Sequence, residues 1–204
     1  MTEELKRKLE VINTLEGWCT QQKAEAMAQI VYESKPEMCV ELGVFGARSL
    51  IATALALKEN RRGVVWGIDP WVVPAALEGQ TDDESIKWWA SLDIDRIRNE
   101  ALNAITRFGL WDHTRVIVAK SEDCHRMFRG IDILHIDGNH SEEKATLDVQ
   151  LWANLVKPGG YIWFDDIDWP STQPAIKLMQ DLYAERIKEV VEPGRCACAL
   201  FRKR

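Results

Sequence analysis

Five short apolar runs constrain this chain more than any other feature: residues 38–42 (MCVEL), 63–68 (GVVWGI), 114–119 (TRVIVA), 131–137 (IDILHID) and 161–165 (YIWFD). Each is apolar at successive positions over the length of a strand, so each must be covered on both faces. Helical patterns fill the intervals at 49–58, 122–128 and 141–155. Strands alternating with helices predict a mainly parallel sheet with helices on both sides. The end of the chain differs: 187–191, a Pro193-Gly194 turn and 196–201 read as an antiparallel hairpin closing one sheet edge, which gives about seven strands in all.

Ahead of the sheet, Leu5, Leu9, Ile12 and Leu15 recur at spacings of three and four, the stripe of an amphipathic helix. Residues 1–19 are therefore expected to form a helical arm whose apolar stripe could dock a second copy of the chain. A second helix is predicted over 20–34, capped by Thr20 and stopped before Lys35-Pro36. Residues 71–110, after the second run, read as a lid-like insertion: an EGQTDDES loop, Trp88-Trp89, then a helix over 93–108. With no linker or repeat, the 204 residues fit one domain, 20–204, preceded by the arm.

The net charge of −6 argues against a phosphate backbone or an anionic membrane as the main partner. The uncharged apolar stretch 50–57 is far short of the roughly 20 residues that span a bilayer, and MTEELKRKLE lacks a signal peptide's apolar core. A cytoplasmic protein is expected. Five scattered cysteines, with no C-x-x-C, read as reduced thiols.

The candidate chemistry begins at CVELGVFGARS. A strand ends at Glu41, and Gly43 and Gly46 bracket a sharp turn into a helix opening near Ser49. The second strand ends in Asp69, whose carboxylate can accept from both hydroxyls of a ribose. G-x-G-x-x-G is broken here by Leu42, Val44 and Phe45, so a pyrophosphate would find few close amides. Glu41 would repel phosphate and attract a cationic amine. S-adenosylmethionine carries that amine and a sulfonium.

In order, ELGVFGARS, GIDPW, IDGNH and WFDD resemble the class I S-adenosylmethionine-dependent methyltransferases over about residues 20–203. The resemblance implies a Rossmann-like α/β fold with the late hairpin. It implies that Glu41, Gly43 and Gly46 line the methionine part of the cofactor, that Asp69 holds the ribose and that Ser121 lies beside the adenine. Ser49 is counted with these cofactor contacts. Ala47 stands where a third glycine is common in the family.

Asp137 ends the fourth strand and Asp165-Asp166 the fifth, so all three emerge at the carboxyl edge where open α/β sheets bind ligands. Converging carboxylates repel unless a cation neutralises them, and oxygen donors suit Mg²⁺, Mn²⁺ or Ca²⁺. The competing reading is a helix cap plus a solvated acid. The pattern resembles metal-dependent small-molecule O-methyltransferases, including those of antibiotic sugars and the cephalosporin-hydroxylase-like proteins, in which acids at these positions bind the divalent ion. The resemblance thus implies a Mg²⁺-assisted transfer to a small-molecule hydroxyl, with Asp137 and His140 at the reacting centre. His140 reads as the base that takes the hydroxyl proton, or equally as the opening of the next helix.

His135, inside a buried run, reads as a core histidine and not as part of a non-haem iron set. No G-x-S-x-G elbow and no phosphate-binding G-x-x-x-x-G-K-[ST] occur. Lys157-Pro158-Gly159-Gly160 reads as a turn. Of nine tryptophans, Trp169 is the first choice for an acceptor contact because it follows the acid pair. The alternatives are a nicotinamide-dependent oxidoreductase on the same sheet and a cofactor-binding protein without catalysis.

Overall fold

The computed structural model describes residues 1–79 and 83–204. Its helices are α1 (Glu3–Leu9), α2 (Gln21–Ser34), α3 (Arg48–Asn60), α4 (Val73–Leu77), α5 (Asp83–Ser91), α6 (Ile94–Arg107), α7 (Ser121–Cys124), α8 (Glu142–Trp152) and α9 (Gln173–Leu182). The strands are β1 (Met38–Leu42), β2 (Val64–Ile68), β3 (Thr114–Ile117), β4 (Ile131–Ile136), β5 (Val156–Asp165), β6 (Ala184–Glu192) and β7 (Cys196–Lys203). They form one sheet in the order β3-β2-β1-β4-β5-β7-β6. The first five are parallel, and β7 runs antiparallel between β5 and β6. The seven strands and the closing hairpin are those expected. The order reverses between β1 and β4, which opens the crevice where such sheets bind ligands.

Two apolar layers cover the sheet. Cys39, Ile133, Trp163 and Leu200 pack with α1, α2, α3 and α6, while Val40, Leu134, Ile162 and Phe201 pack with α8 and α9. The alternation follows from the two-residue period of a strand.

Several expectations need correction. Leu5, Leu9, Ile12 and Leu15 are buried against the chain's own core, so residues 1–19 are not an arm and their stripe is already covered without a second copy. Residues 71–110 are not one insertion. Ile97, Ala101, Ala104 and Ile105 of α6 are buried, which makes α6 the regular crossover helix between β2 and β3, whereas α5 buries no residue. Of the expected EGQTDDES loop, Asp83, Glu84 and Ser85 open α5, and residues 80–82 lie outside the described residues. Lys157-Pro158-Gly159-Gly160 lies inside β5 as an irregularity, since Ile131 pairs with Val156 and Ile133 with Tyr161. Helix α9, which the sequence reading did not single out, buries Ala175, Ile176 and Met179. No helix among the described residues is long and apolar enough to cross a membrane.

Candidate active site

The segments that follow β1, β2, β3, β4 and β5 open onto one cavity of about 900 Å³. Gly43, Gly46, Ser49, Asp69, Ser121, Asp137, His140, Asp165 and Asp166 all line it. The one nominated residue that does not is Glu41.

The turn after β1 is built around backbone contact. Gly43 has φ +82°, and a Cβ there would lie 2.0 Å from the Asp137 carbonyl oxygen. At Gly46 a Cβ would meet the Glu16 carbonyl at 2.1 Å. Phe45 and Ala47, at φ 48° and 68°, hold left-handed conformations that side chains resist. Asp69 stabilises this turn: its Oδ2 accepts from the Val44 and Phe45 amides at 2.8 and 2.9 Å, and its Oδ1 from the Trp71 amide at 2.7 Å. Burial raises the Asp69 carboxyl above its ordinary value, opposed by those amides. A carboxylate oxygen has two lone pairs, so Oδ1 retains one for a ligand hydroxyl.

Glu41 is displaced from its expected role by register. It pairs with His135 across β1 and β4, so both side chains share the face covered by α2 and α3. There Glu41 accepts from Ser49 Oγ at 2.9 Å and faces His135 Nδ1 at 3.3 Å, almost fully buried. The carboxylate organises the core beneath the turn and does not face a ligand's amine. Ser121 donates to Asp148 Oδ1 at 2.5 Å. Burial pushes the Asp148 carboxyl up to about 7.

The acid trio divides into two. Register pairs His135 with Trp163, so Asp137 and Asp165, each two residues further on, leave the sheet on the α2 face. Helix α2 supplies Lys23, whose side chain is 2% exposed and whose Nζ contacts Asp165 Oδ2 and lies 3.5 Å from Asp137 Oδ2. The other Asp165 oxygen lies 3.2 Å from His135 Nε2. Asp166, at φ 50°, turns out of the strand and meets His140 Nδ1 at 2.8 Å, while His140 Nε2 lies 3.6 Å from Asp137 Oδ1. Trp169 sets its ring edge-on against His140 with centroids 5.3 Å apart.

These contacts shift the titration of the groups that make them. Burial opposes ionisation of His140, but Asp137 and Asp166 together raise its pKa to about 10. Burial likewise opposes the His135 cation, yet Asp165 and Glu41 raise it to about 10. Burial and the Asp165 charge push Asp137 up to about 6, against Lys23 and His140. Burial would raise Asp165 too, but Lys23 and His135 hold it far below the carboxylate range. Four carboxylates, Glu41, Asp137, Asp165 and Asp166, thus face the three basic side chains Lys23, His135 and His140.

A divalent ion held by Asp137, Asp165 and Asp166 does not fit this arrangement. Among the described residues, two groups bring three potential ligand atoms within 4.8 Å of one another, His135 with Asp137 and Asp165, and Asp137 with His140 and Asp166. Neither contains all three acids. Lys23 Nζ contacts Asp165 and lies 3.5 Å from Asp137, and His135 Nε2 lies 3.2 Å from the other Asp165 oxygen, so an ion on these acids would have to share them with an ammonium.

Sequence reasoning missed Lys23 and Asp148. Each left a visible signal: a charged residue on the buried stripe of its helix, Lys23 with Met27 and Val31, Asp148 with Ala145, Val149 and Trp152. Asn139, within IDGNH, was also passed over. Its Nδ2 reaches the carbonyls of Ala75, Ala76 and Glu78 at 3.0, 3.1 and 2.9 Å, and its Oδ1 accepts from the Ser141 amide at 2.8 Å. Lys144 adds an ion pair to Glu78 at 2.6 Å. Asn139→Ala should therefore cost about 1–3 kcal/mol, the penalty for stranded polar groups. Hydrogen exchange should show faster opening of α4 with β1 and β4 unchanged; unaltered protection at α4 would refute the clamp.

Of the other tryptophans, Trp71 is buried and donates from Nε1 to the Phe45 carbonyl at 2.9 Å, and Trp163 is core. Trp18, Phe45, Trp88 and Trp89 form an aromatic cluster at the cavity wall, with successive centroids 5.0–6.2 Å apart.

Comparison with known proteins agrees with the fold. Similar folds include a putative O-methyltransferase from Klebsiella pneumoniae (TM-score 0.68, 13% identity, 100% of this chain and 90% of that one). Another is the O-methyltransferase TomG from Streptomyces achromogenes, solved in complex with SAM (TM-score 0.66, 15% identity, 100% and 91%). At such identities the likeness concerns the fold. A curated relative, the uncharacterized protein R132 of Acanthamoeba polyphaga mimivirus, is 29% identical over 150 residues, 71% of this chain. The match spans 60% of that relative's length. A family described as a methyltransferase domain matches residues 40–167, the segment that carries the turn, Asp69, Ser121, Asp137, His140 and the Asp165-Asp166 pair, and the chain belongs to that methyltransferase-domain family.

Proposed function

We propose that this protein transfers a methyl group from S-adenosylmethionine to a hydroxyl oxygen of a small molecule. The observation that carries the reading is the single cavity at the carboxyl edge, lined both by the Gly43-Gly46 turn with Asp69 and by Asp137, His140 and Asp166. Its volume lies within the range of small-molecule sites. The turn suits a ligand without phosphates: its Val44 and Phe45 amides, which a phosphate would need, are already bound by Asp69. The solved structures in complex with SAM and with SAH, from Streptomyces achromogenes and Bacillus cereus, support the same cofactor.

When bound, the cofactor supplies an electrophilic methyl carbon on a sulfonium. The chain's part is to hold the acceptor oxygen in line and remove its proton. The new bond joins that oxygen to the methyl carbon, the carbon–sulfur bond breaks with its electron pair left on sulfur, and the hydroxyl proton passes to neutral His140. Asp137 and Asp166 fix the imidazole and stabilise its cation. Trp169, 41% exposed and packed on His140, offers an apolar wall to the acceptor.

A thermal-shift titration with S-adenosylmethionine, S-adenosylhomocysteine, NAD and NADP tests the cofactor. At a hundredfold excess over Kd the two sulfur compounds should stabilise by about 2.7 kcal/mol, a rise in Tm of several degrees. A response to the nicotinamide nucleotides alone would overturn the reading.

A further inference from the structure

We propose that the Lys23 ammonium is the resident cation of this site, occupying the place between Asp137 and Asp165 that a divalent ion takes in the metal-dependent methyltransferases the sequence resembles. The inference deepens the methyl-transfer reading and rests on it for its catalytic meaning.

The position is unusual on physical grounds. Lys23 stands in the first turn of α2, three residues after the cap Thr20, where the helix dipole disfavours a cation. It lies on the stripe of Met27 and Val31 that faces the core. A lysine is almost never so fully buried unless its charge is paired. Here Asp165 and Asp137 provide the pairing, and the ammonium reaches the cavity wall beside them. Burial opposes the lysine's charge, and those two carboxylates outweigh it and raise its pKa above the ordinary value. His135 takes the remaining oxygen of Asp165. A divalent ion bound to the same acids would sit against the Lys23 ammonium and would have to share both Asp165 oxygens with Lys23 and His135.

Lys23 is on this account a positioning residue. It holds Asp137 and Asp165 together and leaves Asp137 oriented toward His140, the work that an ion does in an acid trio. Methyl transfer should then be indifferent to chelators.

The test is manganese binding to the full-length, chelator-treated protein, followed by the loss of the free Mn²⁺ electron paramagnetic resonance signal. The wild type should leave the signal of equimolar Mn²⁺ undiminished. Lys23→Met frees the acids and should gain one Mn²⁺ per chain, lost again on adding Asp137→Asn. Stoichiometric binding by the wild type that Asp137→Asn abolishes would overturn the proposal. So would a folded Lys23→Met protein that binds no Mn²⁺. Should Lys23→Met fail to fold, Lys23→Arg, which keeps the charge, is expected to fold and to remain blind to Mn²⁺, and binding by it would also overturn the proposal. Thermal shift with S-adenosylmethionine on the same wild-type sample tests the methyl-transfer reading separately, since cofactor binding does not depend on the manganese result.

Discussion

Gly43→Ala should abolish cofactor binding and destabilise the protein by more than about 4 kcal/mol, beyond the usual range for a point substitution. The added Cβ would stand 2.0 Å from the Asp137 carbonyl oxygen, 2.7 Å from its carbon and 2.9 Å from Gly138 Cα, all backbone atoms. They cannot swing aside, because the Asp137 amide is bound to the Leu42 carbonyl at 2.9 Å and the Gly43 amide to the Ile68 carbonyl at 2.9 Å. The φ of +82° adds the left-handed penalty of about 1–2 kcal/mol. Gly194→Ala is the control: φ is +70° there too, but nothing lies within 4 Å of the new Cβ. Only the conformational cost should appear. Urea unfolding of both variants measures the difference, and equal losses would show that the contact of Gly43 with the β4 tip is not what the glycine serves.

His140→Gln should lower methyl transfer to hydroxyl acceptors by about 10²–10⁴-fold, the contribution of a positioned base, with S-adenosylmethionine binding unchanged. The pH dependence is more diagnostic. The imidazole must be neutral to accept a proton, and Asp137 and Asp166 raise its pKa to about 10. The wild-type rate should therefore climb with pH through the neutral and alkaline range, about tenfold per unit at most, until the imidazole is deprotonated. Asp166→Asn removes one of the two carboxylates that hold the cation, so the break should move to lower pH. His140→Gln should flatten the profile. A wild-type rate independent of pH between 7 and 9, measured by transfer of labelled methyl, would remove His140 from the role of base.

The architecture was legible because its signals are local. An apolar run flanked by Gly or Pro, such as MCVEL, carries its own evidence of being a buried strand, and β1 begins and ends at the expected residues. The cavity-lining positions were legible for a related reason: a residue at the carboxyl end of a parallel strand has only one edge to occupy, so Gly43, Asp69, Ser121, Asp137 and Asp165 all reach the same cavity. Less legible was the role of a helix with an apolar stripe. The stripe of α1 reads identically whether its partner is α3 or a second chain, and only packing shows that it is covered within the chain. The insertion was overdrawn for the same reason, because α6 looks amphipathic in sequence whether it covers a sheet or a lid.

What the sequence determined by itself is the parallel α/β sheet, the glycine turn and the set of acids delivered to one edge, since these follow from period, chain direction and residue type. What only the tertiary structure decided is what each acid meets there. Glu41 meets His135 because strand register sets them side by side, and Asp165 meets Lys23 because α2 packs over that face. Electrostatic partners are chosen by distances between segments far apart in the chain, 142 residues in the case of Lys23 and Asp165, and no spacing rule within either segment encodes that distance.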